Sequence, residues 1–338
     1  MMRYLTIGLL YTRTCPLACR HCIIESSPKV AEKMEQSVAS EYIKVIARYS
    51  DQVCFTGGEP LLYYNEIIPL IREARALGLG VSLVTGCGWV STAKPHIARE
   101  RIAGLKEAGL NSLTVSWDEY HEEFSPQENA LLVVKTAKEI GLPVEVRGVV
   151  NTAGPIPRIE QKLITIGVRY EKAQILRLGA AATLPESHFT FGEMPHMRGC
   201  RTVLQPVIEP NGQVYGCCGP SRGLKNPDSP LTLGNTNDES LESIFSRSVN
   251  DPLLEAISNV GPYALFNLIK DEPSLKDTLP VRSSYTGICE VCLDLSSVPE
   301  VITKLRERIS EPAVNRLMSA MSIYYKSSPE LQAQVECF

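Results

Sequence analysis

Thr14-Cys15-Pro16-Leu17-Ala18-Cys19-Arg20-His21-Cys22 places three thiols within eight residues, just after a short apolar run, Tyr4–Leu10. Thiolates are the natural ligands of iron-sulfur clusters, and three close cysteines can each hold one iron corner of a cubane, leaving the fourth iron open. Structural zinc instead wants four ligands, typically as two separated pairs. The run is therefore read first as an iron-sulfur loop, and its place after a strand sets the frame for the rest of the chain.

Outward from that loop, residues 4 to about 180 alternate short apolar runs with longer stretches of helical period. Strands are predicted at Tyr4–Leu10, Gln52–Thr56, Val81–Thr85, Ser112–Trp117, Val144–Val150 and Ala173–Leu178. Amphipathic helices are predicted between them at Met34–Tyr49, Leu61–Ala76, Ala93–Ala108, Ser125–Ile140 and Ile156–Ile166. Strand and helix in repeated alternation make a parallel sheet with right-handed crossovers, here six strands curling toward a partial (β/α)6 barrel, an α/β fold. Active sites in such sheets lie at the carboxyl ends of the strands.

Beyond Gly179 the texture changes. Ala180–Gly199 reads as a linker, and Val203–Glu209, Pro210-Asn211-Gly212 and Gln213–Tyr215 read as a β-hairpin, since Asn-Gly supplies the positive φ of its turn. A helix is predicted at Glu239–Arg247, a loop at 271–288, and helices at Val298–Ile309 and Ala313–Tyr325. The expected division is a barrel over 1–180, a small α+β domain over 181–297 and a helical segment over 298–338.

The chain has 338 residues, 44% hydrophobic and 21% charged, with a formal net charge of -4. That is ordinary globular composition, with no cationic surplus to neutralise a phosphate backbone, so no nucleic-acid partner is expected. The early apolar run is far too short for a bilayer and lacks a signal-peptide cleavage pattern, so neither a membrane partner nor export is expected. The eleven cysteines, at 15, 19, 22, 54, 87, 200, 217, 218, 289, 292 and 337, then point to metal or redox chemistry in a reducing cytoplasm rather than to disulfides.

The pattern C-x3-C-x2-C with aromatic His21 before the last cysteine resembles the cluster loop of the radical S-adenosylmethionine (SAM) superfamily. The resemblance implies a SAM-binding 4Fe-4S cluster on Cys15, Cys19 and Cys22, after the first strand of a partial barrel. Gly57-Gly58-Glu59-Pro60 resembles the GGEP motif that holds the methionyl amino group; paired glycines also occur in ordinary turns. Ser116 and Asp118 resemble the S-x-D motif that meets the ribose and methionyl carboxylate, although such a pair also caps helices. Leu176-Arg177-Leu178-Gly179, and Leu178 in particular, lies where the family packs backbone on the adenine. Thr85-Gly86 departs from the usual T-N-G and is assigned no ligand contact. The implied chemistry is SAM chelated at the open iron, cleaved by one electron, with a 5′-deoxyadenosyl radical taking hydrogen from substrate.

Cys200, Cys217, Cys289 and Cys292 would make a closed tetrathiolate site, a count that suits zinc and iron-sulfur equally. C-x(9–15)-G-x4-C, then Leu233-Gly234-Asn235 leading into Leu241–Phe245, then C-x2-C, is similar to the SPASM/Twitch extension of radical SAM enzymes. Too few cysteines follow for a second auxiliary site, so the resemblance implies the Twitch form with one auxiliary 4Fe-4S cluster. Cys218, beside a ligand, resembles the hydrogen-atom donor of radical SAM peptide epimerases, the one residue here given a catalytic role. Cys54 and Cys87 read as buried small hydrophobes, and Cys337 as an exposed thiol of a frayed tail. Tyr120 and His121, after S-x-D, either touch substrate or are hydrogen-bonded structural residues.

The resemblance implies an oxidoreductase acting on a ribosomally synthesised peptide, by epimerisation, crosslinking or oxidation, with electrons from a flavodoxin or ferredoxin. The first strand is expected too near the start to leave room for a leader-binding domain. A small-molecule radical SAM dehydrogenase and a non-catalytic zinc or iron-sulfur module are the alternatives.

Overall fold

The computed structural model describes residues 3–150, 158–196 and 199–327. It forms two compact units, one of Leu5–Thr190 with Ile208–Gly212, the other of Met1–Tyr4, Phe191–Val207 and Gln213–Phe338.

The first unit is built on six parallel strands: β1 (Ile7–Thr12), β2 (Gln52–Gly57), β3 (Gly80–Thr85), β4 (Ser112–Ser116), β5 (Val144–Val150) and β6 (Tyr170–Gln174). They lie side by side in chain order, with Leu9 opposite Phe55, Val53 opposite Val81, Leu83 opposite Leu113 and Val115 opposite Val146. Crossing between them are α1 (Gln36–Tyr49), α2 (Tyr64–Ala76), α3 (Pro95–Ala108), the single turn α4 (Glu119–Glu122), α5 (Gln127–Ile140) and α6 (Arg158–Thr165). Ile7, Leu9, Val53, Phe55, Val81, Leu83, Leu113 and Val115 are fully buried, and the helices lay apolar stripes on them, such as Ala39, Ile43 and Ile46 of α1. A parallel sheet covered by its crossovers needs such apolar runs, which is why these strands are legible in the sequence.

Two strand edges move. Tyr4 does not start β1: its ring packs 5.3 Å from Phe245 and its hydroxyl meets Ser248 at 2.6 Å, within the second unit. The last strand is Tyr170–Gln174, not Ala173–Leu178, because pairing with β5 runs from Val146–Tyr170 to Val150–Gln174. Leu176–Gly179 therefore lies beyond the strand end. Residues 156 and 157 of the expected helix at Ile156–Ile166 fall outside the described residues.

The segment after 180 stays with the first unit to Thr190 rather than leaving it at 180. Gln174 donates to the Thr190 carbonyl at 2.9 Å, and His188 Nδ1 lies 2.7 Å from the Tyr120 hydroxyl.

Short strands β7 (Val207–Ile208) and β8 (Gln213–Tyr215) flank a turn closed by the Gly212 N–H on the Glu209 carbonyl at 3.0 Å. In the second unit β8 pairs antiparallel with β9 (Thr232–Asn235), Val214 opposite Gly234. Six helices follow: α7 (Leu241–Ser248), α8 (Pro252–Asn259), α9 (Gly261–Ile269), α10 (Ile288–Ser297), α11 (Pro299–Ser310) and α12 (Pro312–Ser327). The expected separate segment after 298 is instead continuous with the rest of this unit. α11 buries Val301, Ile302, Leu305 and Ile309, and Arg306 grips the Asp251 carboxylate that caps α8, at 2.8 and 3.0 Å. Among the described residues no helix is long and apolar enough to cross a membrane.

Candidate cofactor site

The cysteine loop leaves β1 and folds inward. Cys15 and Cys19 are buried together with Leu17, and Cys22 is half-buried against them. The turn is closed by the Cys22 N–H on the Cys19 carbonyl at 3.0 Å, and the Ala180 N–H reaches the Cys22 carbonyl at 3.0 Å, bringing the Leu176–Gly179 segment to the loop with Leu178 half-buried. Burial pushes the Cys15 thiol up to about 12, with Glu59 and Cys22 adding to the effect. Burial likewise raises Cys19 far above the ordinary thiol range, reinforced by Asp118, Cys22 and Cys15. Thiols so placed ionise only against a strong local cation, which a metal supplies. Within the same loop Arg13 Nε, Thr14 Oγ1, His21 Nδ1 and Ser26 Oγ are buried polar atoms without a hydrogen-bond partner. Natural proteins rarely leave such atoms unpaired, and their grouping around three thiols fits a bound group.

Gly57 and Gly58 leave β2 against the backbone of the cysteine loop. A Cβ at Gly57 (φ +150°) would stand 2.3 Å from the Thr12 carbonyl oxygen, and one at Gly58 2.3 Å from that of Thr14. The Gly58 N–H donates to Thr12 at 2.6 Å and the Glu59 N–H to Thr14 at 2.9 Å. The glycine pair is thus demanded by the close pairing of the two loops. Gly58→Ala would part them, and we expect it to lower the unfolding free energy by about 2–3 kcal/mol, read by chemical denaturation.

Glu59 is fully buried between these loops and the end of β3, with Pro60 buried behind it. Its carboxylate accepts from Leu61 N–H at 3.1 Å, Thr85 Oγ1 at 2.8 Å and Gly86 N–H at 3.1 Å. Trp89 Nε1 in turn donates to Thr85 Oγ1 at 3.0 Å. Thr85-Gly86, given no ligand contact from the sequence, therefore anchors the carboxylate of the GGEP-like motif. Burial pushes Glu59 up to about 7, against the pull of those hydrogen bonds. A raised folded-state pKa contributes stability that is whole below the ordinary value of 4.5 and is lost as pH rises through 7. The loss amounts to about 3 kcal/mol between about pH 5 and about pH 8. In Glu59→Gln that component should vanish from the pH dependence of urea midpoints, while the misplaced amide lowers stability at pH 5.

Ser116 closes β4, half-buried, and Asp118 follows with its carboxylate fully enclosed. Asp118 caps α4 by accepting from the Tyr120 and His121 N–H groups at 3.1 and 3.2 Å, and accepts Val149 N–H at 2.9 Å. His121 Nδ1 lies at 2.8 Å from Oδ1 and His21 Nε2 at 3.4 Å from Oδ2. Burial alone would raise its pKa; His121, His21 and the hydrogen bonds outweigh burial and hold it well below the usual carboxylate range. His21 moves the other way: burial, more than the opposing Asp118 charge, lowers it to about 4, a neutral imidazole near pH 7. The His21 ring lies 4.9 Å from Tyr120 and 5.0 Å from His121. Asp118 thus acts on any ligand chiefly through the groups it holds, and His121 and Tyr120 are fixed to it and to His188.

In the second unit, Cys200 opens a 3-10 turn, with its N–H on the Ile257 carbonyl at 3.0 Å, and Cys217 is buried beside Ser221 Oγ at 3.2 Å. Cys289 and Cys292 ride the first turns of α10 three residues apart, on one helical face rather than in a loop. Arg282 clamps that helix by two bonds of 2.6 Å to Asp294, and buried Glu290 accepts the Thr286 N–H at 2.7 Å. Burial, then the charges of the neighbouring Cys200 and Cys217, drive Cys292 well above the ordinary thiol range. Burial raises Cys217 to about 11. Cys218 is exposed, Cys87 fully buried, and Cys54 half-buried on β2. The ten described cysteines form no disulfide; Cys337 lies outside the described residues.

Residues 9–160 match the profile of the Radical SAM superfamily. The chain accordingly carries a radical SAM domain and is an enzyme that uses SAM. YydG of Bacillus subtilis (strain 168), provisionally named a peptide biosynthesis protein, is 21% identical over 305 residues, covering 88% of this chain and 93% of its own. PqqA peptide cyclase of Rhodopseudomonas palustris is 28% identical over 160 residues, 44% of this chain and 40% of its own. The solved structure of hexahistidine-tagged anSMEcpe with bound AdoMet superposes with a TM-score of 0.56 at 16% identity, covering 98% of both chains. That likeness establishes the fold: a partial radical SAM barrel with additional C-terminal helices.

His21, Thr85 and His188 are the site residues that sequence reasoning gave no role. His21 was visible inside the cysteine motif and Thr85 at a strand end; nothing in the sequence marked His188.

Proposed function

We propose that this radical SAM enzyme modifies a ribosomally synthesised peptide. Cys15, Cys19 and Cys22 hold a 4Fe-4S cluster, and Gly57, Gly58, Glu59, Pro60, Ser116, Asp118 and Leu178 surround SAM. Cys200, Cys217, Cys289 and Cys292 hold one auxiliary 4Fe-4S cluster in a Twitch-like domain. The observation that carries the reading is the coincidence, in one loop, of three thiols and four orphaned polar atoms beside the glycine pair and Asp118. When bound, the cluster and SAM supply a 5′-deoxyadenosyl radical. The likeness to YydG and to a PqqA peptide cyclase supports a peptide as substrate.

The chain's own residues then set the outcome. The Gly57–Gly58 turn, closed against the Thr12 and Thr14 backbone, sets the main chain that receives the methionyl amino group. Exposed Cys218 gives its thiol hydrogen atom to the carbon radical of the substrate, so that an S–H bond breaks and a C–H bond forms. The thiyl left behind is restored by one electron from a flavodoxin- or ferredoxin-type donor and one proton from solvent.

Turnover of a candidate precursor peptide in deuterated water tests this. One deuterium per modified residue is expected, and Cys218→Ala should lose that label while still forming 5′-deoxyadenosine. Retention of the label in Cys218→Ala eliminates Cys218 as donor; turnover confined to small molecules eliminates the peptide.

A further inference from the structure

Among the described residues, Cys19, His21 and His121 are the one group whose metal-binding atoms all lie within 4.8 Å of one another. The three loop cysteines are not such a group, as expected if they hold the separate corners of a cluster, whereas one coordination sphere needs its donors close. Both histidines present a nitrogen to Asp118: His121 Nδ1 at 2.8 Å and His21 Nε2 at 3.4 Å. A carboxylate on one nitrogen of a histidine orients the other toward a metal and raises its basicity. The nitrogens left over are His21 Nδ1 and His121 Nε2. The His21 side chain is only 9% exposed and its Nδ1 has no hydrogen-bond partner. The Nε2 edge of His121 faces Gly86, where a Cβ would lie 3.8 Å from Nε2 and 3.2 Å from Leu17, the residue between Cys15 and Cys19.

We propose that Cys19, His21 and His121, oriented by Asp118, form a mononuclear site for a zinc-like divalent cation. One thiolate and two imidazoles suit such an ion, with water completing a tetrahedron. Because Cys19 belongs to both sets, this ion and the iron-sulfur cluster exclude each other. The inference rests on the reading that Cys19 is a cluster ligand for this exclusion, but not for the site itself. Zinc loading thereby holds the cluster-free enzyme in a state that must release its ion before iron-sulfur assembly.

Co2+ titrated into cluster-free, full-length protein tests the site, since it reports thiolate and tetrahedral ligation optically. About two Co2+ per chain are expected, one here and one at the second-unit cysteines, falling to about one in Cys19→Ala, His21→Phe and His121→Ala. Cys15→Ala and Cys22→Ala should still bind two, because the cluster needs those thiols and this site does not. Loss of an ion in Cys15→Ala or Cys22→Ala, with thermal melting as in the parent, overturns the proposal in favour of a three-cysteine site. Retention of both ions in His21→Phe or His121→Ala overturns it as well. Failure of the cluster reading shows separately, as undiminished iron loading in Cys15→Ala.

Discussion

Cys15→Ala is expected to bring 5′-deoxyadenosine formation down by at least about a thousandfold. On the proposed reading its thiol is one of three that together complete the SAM cluster, and the loop offers no fourth thiol to take its place. Iron after anaerobic reconstitution should fall from about eight to about four atoms per chain, the auxiliary cluster remaining. The fold should survive, because only a sulfur is removed from a site whose backbone is fixed independently, by the Cys22 N–H on Cys19 and by the pairing of Gly58 and Glu59 with Thr12 and Thr14. Iron analysis and product assay on the same sample therefore separate loss of the cluster from loss of the protein.

Asp118→Ala carries the second large effect, on stability first. The buried carboxylate accepts from Tyr120, His121 and Val149 backbone N–H groups and faces two histidines, and alanine leaves all of them without an acceptor. Breaking a buried charged network of this kind costs about 3–5 kcal/mol, which should appear as a lowered midpoint in denaturant. Acid adds a second signature. A carboxyl held below its ordinary pKa of 3.8 contributes stability that is present above that value and is lost as pH falls beneath it toward the depressed folded value. The parent should therefore lose stability steeply as pH falls below about 4, whereas Asp118→Asn, less stable throughout, should lack that component of the acid dependence, since an amide has no charge to lose. Released from Asp118, His21 and His121 should also weaken SAM binding, measured by equilibrium dialysis.

The barrel was largely legible because a parallel sheet buried on both faces writes itself as apolar runs, and β2 to β5 fall within a residue of where those runs lie. β6 was misplaced for the opposite reason. Its residues, Tyr-Glu-Lys-Ala-Gln, sit at the sheet edge and are nowhere fully buried, so the apolar Ile175–Leu178 beyond it drew the reading forward. In the second unit the four cysteines were legible but most of the helices were not. α9 is apolar nearly throughout, leaving no periodicity to read, and α8 was passed over although Asp251 caps it and Pro252 opens it. The candidate site was legible where spacing is tight, in the cysteine loop, the glycine pair and Ser116–Asp118. What holds those parts was not, because the links from Glu59 to Thr85 and from Tyr120 to His188 join residues far apart in sequence, and only the fold brings them together.

Full-length protein, reconstituted without oxygen to about eight irons and reduced with dithionite, should convert added SAM to 5′-deoxyadenosine and methionine. Absence of 5′-deoxyadenosine from fully iron-loaded, reduced protein would contradict the assignment of Cys15, Cys19 and Cys22 to a cluster that opens SAM.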